Sequence, residues 1–142
     1  MSVTIDRAAR IRQVWDAAWD KGKVEALDDL LSPDYRRISS SGELQDRQAF
    51  KDSISATRLA FPELVTSIDE IVVEGDTAAI RWHSSGTHQH SFLGVPATRR
   101  DVTVSGVTFA HFAGDRIVDE YVTWDPRALL TALGIISVGQ DQ

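Results

Sequence analysis

The stretch 92–125, FLGVPATRRDVTVSGVTFAHFAGDRIVDEYVTWD, restricts the fold more than any other part of the chain. Apolar and polar residues alternate over 103–112 and again over 117–124, the period of a strand with one buried face. Ala113-Gly114-Asp115 between them has the residue types of a tight turn, so the two runs form a hairpin. Asp125-Pro126 follows at once, with the aspartate as N-cap and the proline at the first helical position. Leu129, Leu130 and Leu133 give that helix a buried stripe, and Gly134 ends it.

The period of two extends upstream. The runs 66–73 and 78–87 read as strands joined through the turn Glu74-Gly75-Asp76. Before them the period is helical. Over 4–20, Ile11, Val14, Trp15, Ala18 and Trp19 recur on one face, with Thr4 as N-cap and Lys21-Gly22 as the stop. A second, short helix over 24–31 turns Leu27, Leu30 and Leu31 inward and ends at Ser32-Pro33. The polar segment 34–42 forms a strand and a turn at Ser39-Ser40-Ser41-Gly42. Asp46 caps a third helix with Phe50, Ile54 and Phe61 on one stripe, closed by Phe61-Pro62. Helices followed by a run of strands define an α+β fold. A curved mixed or antiparallel sheet wrapped around the N-terminal helices leaves a cone-shaped pocket, and such concavities take apolar ligands.

A length of 142 residues suits one domain, 1–142, and the tail from Gly139 is polar. The ordered core is expected over about 4–135. With no cysteine, disulfides and thiolate metal sites are excluded. A net charge of −6 gives no general attraction to phosphates, and the basic pair Arg99-Arg100 is followed by Asp101, so no nucleic-acid partner is expected. The start, MSVTIDRAARIRQ, carries charges where a signal peptide needs an apolar core, and no apolar run approaches membrane-spanning length. A cytoplasmic protein with no membrane partner is the expectation.

The ordered series AFPEL, GTH, FLGVPATRR, GDRIVDEY and WDP…LLTALG resembles the SnoaL-like polyketide cyclases, a family within the nuclear-transport-factor-2-like cone folds. The resemblance implies a pocket between curved sheet and helices and a homodimer built on the sheet. In those cyclases an aspartate on the last strand exchanges protons with the polyketide, and epoxide hydrolases of this fold use an aspartate there to activate water. That place falls on Val122, which has no proton to exchange. A second family position, often histidine on the preceding strand, falls near Thr108, and an asparagine-type position after the second helix falls near Arg37. The aromatic at the end of the first helix is kept in kind as Trp19.

Glu120 is the first candidate for chemistry. It shares a strand face with Val122 and Trp124, about 7 Å along from the valine. A carboxylate among apolar side chains has a raised pKa and suits acid or base work, whereas one at a wet rim or paired with an arginine does not. Arg37 can hold a carboxylate, enolate or carbonyl, or instead bridge to Glu43 or Glu120. Trp19, Tyr35, Ser53, His83, Thr108, Val122 and Trp124 are the candidate substrate-binding residues. Trp15, Phe50, Phe61 and Trp82 read as plain core, and Gly94-Val95-Pro96 as a loop over the mouth. Asp125 reads as a cap, and His111 faces away from Thr108. His88 and His90 form an HxH pair without a third ligand nearby in sequence, so no metal is expected. With no GxSxG and no glycine-rich phosphate loop, neither a serine nucleophile nor a nucleotide cofactor is expected.

These residues point to a cofactor-independent cyclase or isomerase acting on a small apolar or polyketide-like carbonyl compound. Glu120 is its acid or base and Arg37 its anion stabiliser. The alternatives are a ligand-binding protein that has lost the acid, an epoxide hydrolase-like enzyme, and a structural dimer whose cone is filled by aromatic side chains.

Overall fold

The computed structural model describes residues 6–92 and 94–134. Helix α1 (Arg7–Trp15) starts at Asp6, whose carboxylate accepts the Ala9 N–H at 3.0 Å. The expected cap Thr4 lies outside the described residues. The helix continues as one π turn, Asp16–Asp20, in which the Lys21 N–H reaches the Asp16 carbonyl at 3.1 Å. A 3₁₀ segment, Val24–Asp29, leads into strand β1 (Leu31–Ser39). The short helix therefore ends before Ser32-Pro33, which belong to β1. Pro33 has no N–H for a ladder, and it lies where the register between β1 and its neighbour shifts.

Strand β2 (Leu44–Asp46) and helix α2 (Arg47–Ala60) follow, and then β3 (Val65–Glu74), β4 (Thr77–Thr87), β5 (Asp101–Ala113), β6 (Arg116–Trp124) and α3 (Pro126–Ala132). Asp46 caps α2 by accepting the Ala49 N–H at 2.8 Å, and Asp125 caps α3 by accepting the Arg127 N–H at 2.9 Å. Gly134 closes the last turn with a positive φ of 78°, a conformation costly for a side chain with a Cβ.

The six strands form one mixed sheet in the order β2-β1-β6-β5-β4-β3. All pairings are antiparallel except β1 with β6, which is parallel. The helices cover its inner face. Ile11, Val14 and Trp15 of α1 and Phe50 and Ile54 of α2 pack with Ile80, Trp82, Phe112 and Val122 of the sheet. A second cluster joins Phe61, Leu64 and Val102 to Leu129 and Leu133 of α3. Burial follows strand parity on β6: Glu120 is 2% exposed, whereas the outward Tyr121 is 52% exposed. This is the expected α+β cone. β2 was not expected, because three residues carry too little alternation to register as a strand.

Candidate functional site

Between the sheet, α2 and the π turn lies a cavity of about 430 Å³, so the cone is not filled by its aromatic side chains. That size falls among small-molecule sites. All four tryptophans of the chain, Trp15, Trp19, Trp82 and Trp124, line it. Trp15, Phe50, Phe61 and Trp82, read from sequence as plain core, serve both core and cavity. Sequence periodicity places a residue on a buried face but does not tell a packed neighbour from an empty one. The π turn carries Trp19, which meets Phe50 edge-on with ring centroids 6.2 Å apart. Arg37, Ser39, Ser41, Glu43 and Gln45 on β1, β2 and their connection make one wall polar, and Arg37 pairs with Glu120 rather than with Glu43.

The parallel register of β1 and β6 sets Arg37 opposite Glu120 and Ser39 opposite Val122. Arg37 Nη1 donates to Glu120 Oε1 at 3.1 Å, and the Tyr35 hydroxyl donates to the same oxygen. The Arg37 guanidinium also lies over the Phe50 ring, 4.2 Å from its centroid. Tyr35 is fully buried. Burial, reinforced by the adjacent Glu120 charge and opposed by Arg37, pushes its phenol well above the ordinary tyrosine range.

Of these three residues only Arg37 lines the cavity. Glu120 and Tyr35 lie outside its lining, so Glu120 has the arginine partner that was the alternative to a poorly solvated acid. Val122, Trp124, Trp19 and Ser53 do line it. The Ser53 hydroxyl donates to the Phe50 carbonyl at 2.8 Å within its own helix. Thr108 is buried outside the lining and accepts the Trp82 indole N–H at 3.0 Å. His83, expected in the pocket, is on the outer face: its Nδ1 is 2.8 Å from Asp69, because Trp82 and Ser84 take the inward positions on either side. His111 is also outward, 2.6 Å from Asp119 and edge-on to Tyr121.

The segment after β4 reaches the cavity through Phe92, whereas Gly94, Val95 and Pro96, expected as a loop over the mouth, are not on its lining. The Gln89 and His90 N–H groups both donate to the Ala60 carbonyl. His88 is fully buried, stacks on Phe61, and accepts the Thr98 N–H on Nδ1 at 3.2 Å. Phe92 and Val95 exchange backbone hydrogen bonds, and Phe92 reaches the cavity. Among the described residues no three His, Asp or Glu side chains converge as a metal site, and no helix is long and apolar enough to cross a membrane.

A six-stranded cone around an aromatic cavity, with a buried Tyr–Glu–Arg cluster beside it, defines an α+β domain with an internal cavity of small-molecule size. The family model for SnoaL-like polyketide cyclases matches residues 9–133, and the chain belongs to that family. Solved structures agree. AclR, a proposed hydroxylase of Streptomyces galilaeus, is 26% identical, with a TM-score of 0.81 over 93% of this chain and 98% of its own. TsrD from Streptomyces laurentii is 27% identical, with a TM-score of 0.80 over 93% of this chain and 99% of its own. IdmH, a proposed polyketide cyclase of Streptomyces antibioticus, is 26% identical, with a TM-score of 0.79 over 92% of this chain and 99% of its own. Among the curated proteins none matches.

Proposed function

We propose that the cavity carries out cofactor-independent proton transfer on a small, largely apolar carbonyl compound, in a cyclisation or isomerisation. The observation that carries this reading is Arg37 on the polar wall of an otherwise aromatic cavity, paired with Glu120 directly behind the lining. The Glu120 bond occupies one N–H of Arg37, and a guanidinium has five. Those left can stabilise negative charge developing on a carbonyl oxygen, where low solvation strengthens the effect. Glu120 takes or returns the proton. Both of its bonds fall on Oε1, and because Glu120 lies behind the lining, Oε2 would exchange a proton with a ligand through a bridging water. Tyr35 holds that carboxylate in place, and Trp19, Val122 and Trp124 shape the space. The test is turnover by Glu120→Gln, which keeps the acceptor and removes the base. With a true substrate in hand, unchanged turnover would remove Glu120 from the mechanism.

A second reading rests on the cavity lining itself. Val122 is on it and Glu120 is not, which favours a protein that binds a ligand without transforming it. Val122→Asp separates the two. Activity gained in the variant and lacking in the parent supports a retired active site, whereas activity already present in the parent supports the first reading.

The sheet's outer face is proposed as the seam of a homodimer. Phe109 and Tyr121 are register partners there, 48% and 52% exposed, and His83 and His111 on the same face are each within hydrogen-bond distance of an aspartate, Asp69 and Asp119. Sedimentation of a Tyr121→Asp variant as a monomer beside a dimeric parent is the expected result. A parent that sediments as a monomer rejects it.

A further inference from the structure

The cavity side of Trp82 has a support that no part of the mechanism above uses. Gly106 on β5 is the register partner of Trp82 on β4 and of Trp124 on β6, so a residue without a side chain separates two indoles on the inner face. The Trp82 ring lies across this gap. A Cβ placed on Gly106 would come within 2.4 Å of Trp82 Cζ2 and 2.9 Å of its Cε2, and within 2.8 Å of the Thr123 carbonyl oxygen. Two residues along β5, Thr108 accepts the indole N–H at 3.0 Å and fixes the ring in that pose. The Trp15 ring packs against it, with centroids 6.5 Å apart. The indole is the nearest neighbour, so a side chain at 106 must displace it from β5 towards the cavity, and must also shift the β5–β6 backbone slightly at the Thr123 carbonyl.

We propose that Gly106 is a specificity-determining residue: it sets the depth of the cavity by letting Trp82 lie flat on β5, and so admits large, flat, fused-ring ligands. This rests on the reading of the cavity as a ligand site. It does not depend on proton transfer there.

The experiment measures binding, by calorimetry, of two uncharged probes, 1,8-dihydroxyanthraquinone and the single-ring 4-hydroxyacetophenone. The proteins are the parent, Gly106→Ala, and Gly106→Ala combined with Trp82→Phe. Affinity of Gly106→Ala for the three-ring probe is expected to fall tenfold or more, with less than a twofold change for the single ring. The smaller phenyl ring relieves the indole clash but not the approach to the Thr123 carbonyl, so it should restore part of the three-ring affinity, which a general loss of folding would not do. Equal losses for both probes without rescue, or no loss for either, overturn the proposal. A protein that sorts the probes in this way yet turns over no substrate leaves the proposal standing and removes the proton-transfer reading alone. A parent that binds neither probe removes both.

Discussion

Breaking the Arg37–Glu120 pair tests the centre of the site without a substrate. The side chains are 15% and 3% exposed, so neither charge is well solvated once its partner is gone. Arg37→Met removes the cation and leaves the Glu120 carboxylate with only the Tyr35 hydroxyl as a partner. Orphaning one member of a buried pair costs about 3–5 kcal/mol. Glu120→Gln should cost less, about 1–3 kcal/mol, because the amide still accepts a hydrogen bond. The freed guanidinium also keeps its place over Phe50, which holds about 1 kcal/mol of cation–π attraction. In the double variant no charge is left unpaired, and its cost should fall short of the summed single costs by about 2 kcal/mol. Urea unfolding reads this directly. With a slope of about 1–3 kcal/mol per molar, a loss of 3 kcal/mol moves the midpoint down by about 1–3 M. Costs that add to within about 0.5 kcal/mol would show that the charges do not interact, and the arrangement of the site would then be wrong.

Alkaline unfolding should report on Tyr35. Its folded pKa is raised, so its contribution is complete below the unfolded value near 10.0 and is lost as pH climbs towards the folded one, because the unfolded chain gives up the proton first. Tyr35→Phe should flatten the decline of stability above pH 10 by about 1.4 kcal/mol per pH unit, measured as urea midpoints across a pH series. Lys51, raised above 10.5 chiefly by its hydrogen bond to Glu25, gives a decline of the same sign in both proteins, so the difference isolates the phenol. An identical slope in the variant rejects the burial argument. Asp46→Ala should lower stability by about 1 kcal/mol through loss of the α2 cap, read in the same urea assay. No change there would mean that the cap is replaced by water.

Much of the fold was legible because its signals are local. Alternation fixed the hairpins, and turn chemistry at Gly75 and Gly114 fixed their joints. Asp46 and Asp125 marked helix starts by residue type and spacing. What escaped depends on pairing between distant strands. Nothing near residue 37 says that β1 runs parallel to β6, and without that register Arg37 and Glu120 were only possible partners. His83 was misplaced for a related reason: a histidine mid-strand reads equally well inward or outward until a neighbour such as Trp82 is known to face the cavity. Gly106 carries no signal in the sequence that sets it apart, since only the ring pose of Trp82 gives its missing Cβ a purpose.

The same register bears on where a carboxylate can work in this cone. Val122 and Glu120 are successive inward positions on β6, about 7 Å apart along the strand. Position 122 opens on the cavity and lies opposite Ser39, whose side chain carries no charge. A carboxylate there would meet a ligand directly. At 120 it is opposite Arg37 and beside Tyr35, held by two donors outside the cavity lining. A carboxylate at 120 rather than 122 thus has a fixed partner in place of a position on the lining, and the charged side chains on the lining are Arg37 and Glu43. On the proposed reading, Arg37 is the cation that meets a carbonyl oxygen in the cavity, with Glu120 acting beside it. Turnover should accordingly fall further in Arg37→Met than in Arg37→Lys, which retains the charge but not the fork of donors. Equal activity in the two variants would place the reacting oxygen elsewhere in the cavity.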